Sequence, residues 1–224
     1  MPSVSRTPST RPLRKDAREN QERILEAARI AFAEHGLDAS VEEIAERAGV
    51  GMGTLYRRFP SKTALVDAIF EDYLDELAGV ARRSLADPNP WEGFTGFLEA
   101  AIEIQVRNRG FAEICAVHRQ DESLLARARA RVTPLLVQLI DRAQTAGALR
   151  ADVVYEDISI LLWTSGRVVD STREVAPEYW RRHLALTLDG LATASASPLP
   201  RAPLSPAQHT RAMAFLARQL RLMD

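Results

Sequence analysis

A single cysteine, Cys115, in 224 residues leaves no internal disulfide and no cysteine-built zinc site. No apolar run approaches the roughly 18 residues that a membrane helix needs; the run at 160–163 is followed at once by Thr164 and Ser165. The Ser-, Pro- and Arg-rich first residues contain no apolar stretch, so no secretory leader is expected. Neither an alternating strand pattern nor an internal repeat stands out. Excess charge is lacking as well: 29 basic against 30 acidic residues give −1, which excludes a uniformly basic coat but not a local basic patch. With 46% hydrophobic residues, global disorder is also excluded. An all-α, soluble, cytoplasmic chain of one large domain or two modest ones is what remains.

What is there is unevenly placed. Residues 1–15 carry Arg6, Arg11, Arg14 and Lys15 and no acid. Residues 16–46 carry three bases against nine acids, and residues 47–62 carry Arg47, Arg57, Arg58 and Lys62 with no acid. Two basic islands therefore flank an acidic stretch. The first also holds Pro2, Pro8 and Pro12 and reads as a mobile arm.

From Asp16 onward the pattern is helical. Ile24, Ala28, Ala31 and Phe32 share one helix face, and Gly36 is placed to stop it. Ser40 stands three residues before Glu43, a capping-box spacing, ahead of Val41, Ile44, Ala45 and Ala48 at helical intervals. The glycines of 49–51 break this helix, and residues 53–59 form one more short helix with Leu55 and Phe59 facing inward. Ser61 caps the next, whose inner face holds Leu65, Ala68 and Ile69. Further helices are expected after Pro88 and Pro90, at about 122–146 up to Gly147, at 155–173 and at 178–194. Four prolines then give a stiff linker over 195–206, followed by a last helix at 207–224. The organisation expected is an arm (1–15), a head (16–62), a connecting helix (63–80), a body (81–194), the linker and the C-terminal helix.

Two short helices joined by a glycine turn, with basic and small polar residues on the second, suit a helix-turn-helix. Its second helix must bury one narrow stripe and leave the other face for the major groove. Leu55 and Phe59 supply the stripe, leaving Met52, Gly53, Thr54, Tyr56, Arg57 and Arg58. An arginine can pair bidentately with guanine; hydroxyls of Thr54 and Tyr56 suit phosphates or base edges; Gly53 removes bulk. Lys62 and Ser40, each at a helix start, suit phosphate contact.

The segments 24–28, 41–45, 48–50 and 53–56, with Phe32, Gly36, Phe59 and Lys62, resemble the N-terminal domain of the TetR family of transcriptional regulators. The resemblance covers roughly residues 17–70. It implies a three-helix DNA-binding head, a helical ligand-binding and dimerisation body, and release of double-stranded DNA when a small molecule binds. It implies backbone contacts from Ser40, Thr54, Tyr56 and Lys62 and base reading from Met52, Gly53, Arg57 and Arg58. The helices at 155–173 and 178–194 would build the homodimer interface. The basic arm, with Arg14, would reach the minor groove or be an uninvolved tail.

Other readings stand beside these. Ser40 caps a helix whatever else it does. The glycines of 49–53 invite a dinucleotide-loop reading, but no strand precedes them. Cys115 fits a small buried hydrophobe or a redox sensor. His118 lies near Glu113, Asp121 and Glu122 without metal-ligand spacing, and no metal or cofactor is expected. Trp91, Phe94, Phe97 and Trp163 fit core or an apolar ligand pocket, with Cys115 and His118 as further pocket candidates. The leading expectation is a homodimeric repressor under small-molecule control. The alternative is a DNA-binding protein without such an effector, architectural or controlled by a protein partner. A helical enzyme would need a phosphate loop, metal spacing or nucleophile motif that the sequence does not offer.

Overall fold

The computed structural model describes residues 11–107, 127 and 130–220, without the side chains of 11–16, 37, 195 and 214–220. Cys115 and His118 lie outside the described residues, as do residues 122–126 and 128–129 of the helix expected at about 122–146. Among the described residues there is no β-strand, only an isolated bridge between Leu149 and Ala192. None of the described helices is long and apolar enough to cross a membrane.

The chain divides into two compact units, residues 1–69 and 70–224. In the first, helix α1 is Arg11–His35, α2 Val41–Ala48 and α3 Met52–Arg58. Helix α4, Lys62–Leu85, begins in this unit and continues into the second. Ile24, Ala28, Ala31 and Phe32 of α1 are buried with Ile44, Ala45 and Ala48 of α2, Leu55 of α3, Phe59, and Leu65, Val66 and Ile69 of α4. This is the periodicity expected, except that Val66 is buried in place of Ala68 and that Val41, like Ala68, is only half-buried. Gly36, Gly49 and Gly147 have φ of 58°, 65° and 72°. At Gly49 the left-handed conformation lets the backbone N–H reach back to Glu46 O at 3.0 Å, closing α2.

Two boundaries differ from expectation. Helix α1 starts at Arg11, not Asp16, so residues 11–15 are helix rather than arm. Pro12 falls in the first turn, where a missing N–H costs nothing. The connecting helix runs on to Leu85, past its expected end at residue 80.

In the second unit, α5 is Pro90–Arg107, α6 Thr133–Thr145, α7 Tyr155–Thr172 and α8 Tyr179–Leu191. Helix α5 is the centre: it packs against α6, α7 and α8, and α7 also meets α6 and α8. Phe94, Phe97, Leu98 and Ile102 are wholly buried. Gly93 permits the close approach of the chain at Ser84, whose carbonyl oxygen would clash with an added Cβ. Arg142 caps the end of α4 through Leu85 O and Asp87 O.

The last helix, α9, is Pro206–Leu220. Its start carries a reciprocal cap. Ser205 N donates to Gln208 Oε1 at 2.9 Å and Gln208 N to Ser205 Oγ at 3.3 Å. Two contacts latch this C-terminal segment to the body. Arg150, 8% exposed, donates to Ser197 O at 2.6 Å while pairing with Asp152. His209 Nε2 lies 3.0 Å from Ser159 Oγ on α7, with its ring edge-on to Tyr155.

Candidate nucleic-acid interface

Helix α3 has only seven residues, so it cannot stand by itself. It is held by Leu55, wholly buried, and by Phe59, 5% exposed, whose N–H closes on Leu55 O at 2.8 Å. Four residues apart, these two fix one side of the helix. The opposite side is in solvent: Gly53, Tyr56, Arg57 and Arg58 are exposed, and Met52 and Thr54 are half-buried. Tyr56 is 45% exposed despite its size. A Cβ added at Gly53 would meet nothing within 4 Å, so nothing inside the protein demands glycine there.

The exposed cations are oriented. Arg57 Nη2 donates to Thr54 Oγ1 at 3.1 Å, one turn back. Arg58 donates instead to Gln21 Oε1 of α1. Sequence reasoning groups the two arginines together, but the structure turns Arg58 toward α1 and leaves Arg57 on α3. Gln21 is the residue that such reasoning misses; a partner 37 positions away leaves no local signal.

The helix starts behave as expected. Ser40 Oγ accepts from Glu43 N at 3.0 Å and keeps its own proton for donation. The return half of the box is replaced: Glu43 Oε1 takes Arg47 at 3.2 Å. Ser61 Oγ accepts from Ala64 N at 3.1 Å, opening α4. Lys62 is half-buried, its Nζ 5.9 Å from the centre of the Phe32 ring, so the core itself steadies the ammonium. Arg14 lies in the first turns of α1; its side chain is outside the described residues.

Behind the helix pair, Arg47 Nη2 bridges Glu34 Oε2 at 2.6 Å and Glu43 Oε1 at 3.2 Å, joining α1 to α2. Hydrogen bonding from Arg47 holds the Glu34 carboxyl below the usual carboxylate range. Glu34, His35 and Glu43 are the one trio of metal-ligand type among the described residues, with ligand atoms within 4.8 Å of one another. Arg47 already bridges both carboxylates, which makes the trio part of an ion-pair network.

In the body, Phe94 and Phe97 are fully buried core, while Trp91 and Trp163 are half-buried. Trp91 is tilted against Phe94 at 5.9 Å. Among the described residues, the polar atoms of this unit that are buried without a hydrogen-bond partner include Ser165 Oγ on α7 and Trp180 Nε1 on α8. Beside Ser165, Gln105 of α5 donates to Leu162 O at 3.4 Å.

With this geometry in view, the relatives are informative. Residues 24–69 match the family model described as bacterial regulatory proteins, tetR family, and residues 89–193 match the C-terminal domain of SbtR-like transcriptional regulators. The chain is 45% identical over 64 residues to an HTH-type transcriptional regulator of Staphylococcus aureus strain USA300; that match covers 28% of this chain and 35% of the relative. Thus the chain spans about a third of the length of the curated relatives it matches. Two crystal structures are similar over nearly their whole length. One, the TetR transcriptional regulator SCO0520 from Streptomyces coelicolor, is 32% identical, with a TM-score of 0.60, covering 77% of this chain and 98% of that one. The other, a TetR transcription regulatory protein from Mycobacterium vanbaalenii, is 34% identical, with a TM-score of 0.59, covering 81% and 99%.

Proposed function

The chain belongs to the TetR family of bacterial transcriptional regulators, and from that premise we propose that it is a homodimeric repressor released from a palindromic operator by a small-molecule effector. The observation that carries the reading is α3: two buried anchors, Leu55 and Phe59, hold out Thr54, Tyr56 and Arg57. Two such helices in successive major grooves sit one helical turn apart, roughly 34–36 Å. Arg57, Met52 and Gly53 read base edges, while Ser40, Thr54, Tyr56 and Lys62 hold phosphates. Arg58, tethered to Gln21, serves the flanking backbone.

Dimerisation is assigned to α7 and α8. Residues 160–163 remain half-buried along α7, and Leu186 on α8 is 59% exposed; apolar surface of this kind suits a partner. The effector reading draws on the unpartnered Ser165 Oγ. A buried hydroxyl without a partner is uncommon, and a few polar groups within apolar walls are how ligand sites fix orientation. The effector weakens DNA binding only by its differential affinity for the two states, typically about 1–3 kcal/mol.

Anisotropy titrations on an operator selected from randomised duplexes test this. Arg57→Ala is expected to cost about 1–3 kcal/mol on the operator and to relax specificity at one position. Lys62→Ala is expected to weaken all duplexes alike and to reduce the salt slope by about one. Equal binding by wild type and Arg57→Ala at physiological salt removes the base-reading role.

A further inference from the structure

Helix α1 is longer than the core it serves. Among the residues whose side chains are described, the first buried one is Ile24, and the head's family model also begins there. Before it, Ala17, Arg18, Glu19, Glu22 and Arg23 are exposed, and Asn20 and Gln21 half-buried. From Arg11 to Gln21 the helix advances about 15 Å. Residues 17–23 contribute no buried apolar side chain, so this part of the helix is not there for packing.

Its register points to another use. Positions 11, 14, 15 and 18 fall at i, i+3, i+4 and i+7, one face of a helix. All four are basic: Arg11, Arg14, Lys15 and Arg18. Asp16 falls on the far side and Glu19 at the flank, while Glu22, four residues beyond Arg18, ends the basic row with an acid. Gln21, seven residues (two turns) beyond position 14, lies along the same side, and its amide oxygen takes the Arg58 guanidinium. The C-terminal end of α3 therefore meets α1 at the flank of this row, one turn beyond Arg18. Among the described side chains, Arg18 Nε of the row pairs with Glu22 Oε1 at 3.2 Å; both side chains remain mostly in solvent.

We propose that residues 11–18 form a second DNA contact, a helical rail whose four cations lie along the phosphate backbone beside the groove that α3 enters. This rests on the DNA-binding reading above and deepens it. It also changes the role expected for Arg14. A helix with its side chains is about 10–12 Å across, whereas the minor groove is about 6 Å wide. While residues 11–18 are helical they cannot enter that groove, so they meet phosphates and contribute affinity rather than sequence preference.

The test replaces Arg11, Arg14, Lys15 and Arg18 together by alanine in the full chain, a change that favours the helix. A second variant, Arg11→Lys, Arg14→Lys, Arg18→Lys, keeps the charge. Binding to the selected operator and to unrelated duplex is measured against KCl concentration, with circular dichroism as the fold control. The alanine variant is expected to lose affinity equally on both duplexes, with a log K against log salt slope shallower by about 0.9 for each phosphate no longer neutralised. The lysine variant is expected to keep the wild-type slope. An unchanged slope in the alanine variant overturns the rail, as does a fall in the operator-to-unrelated ratio, which would signal groove reading. Failure of the wild type to bind any duplex would instead remove the DNA-binding reading itself.

Discussion

Arg47 links α1 to α2 through two carboxylates, Glu34 and Glu43, and its effect has a definite pH signature. The Arg47 hydrogen bond depresses the Glu34 pKa. A depressed carboxylate adds stability that is complete above its unfolded value, about 4.3, and that is lost as pH falls through the lower folded value. Glu34→Gln is therefore expected to melt below wild type at pH 6–7, with the gap closing as pH falls below about 4. Thermal melts across that range check it, and a gap constant with pH would show that the pair does not titrate as described. At this scale the sequence is legible where one residue's environment follows from its neighbours. Leu55 and Phe59 have to be inward because they are four apart and apolar, and Tyr56, Arg57 and Arg58 have to be outward. That Arg58 bonds Gln21 is not legible, because long-range pairing depends on where the whole of α1 passes.

Helix ends are the most readable elements, since capping is local chemistry. Ser40, Ser61, Gly36, Gly49 and Gly147 all act at the ends assigned to them. The cap from Ser205 to Gln208 has the same spacing, but there the surrounding prolines mask it. The start of α1 reads too late in the sequence because Pro12 looks like a helix breaker, when the first turn is the one place a helix accepts it. Capping at Gly49 carries its own expectation. With φ at 65° and Arg23 Nη1 at an ordinary 3.6 Å from an added Cβ, Gly49→Ala meets backbone strain and no clash. It is expected to lower head stability by about 1–2 kcal/mol, read as a lower denaturant midpoint with an unchanged m-value. Retained stability would mean that α2 can end without the left-handed residue.

Over the whole molecule, the all-α class and the division into a small head and a larger body are evident from periodicity and from the position of the motif. The seam is not. It falls between Ile69 and Phe70, within the unbroken α4, so no proline, glycine or change of composition marks it. If an effector acts from the body on the head, linkage demands symmetry. Whatever factor the effector takes from operator affinity, operator DNA must take from effector affinity. Titration calorimetry with and without operator measures that factor, and an effector affinity that operator leaves unchanged would show that the two sites are not coupled.

The latch formed by Arg150 and His209 has a bearing on how much of the polypeptide must fold as one piece. The family model for the body stops at residue 193, yet Arg150 and Ser159 take hydrogen-bonding partners from beyond it, at Ser197 and His209. Cutting back to the shared segment would leave an almost wholly enclosed guanidinium short of an acceptor and would bare the flank of α7 at Tyr155. Common ancestry and cooperative folding draw their borders, in this chain, at different residues.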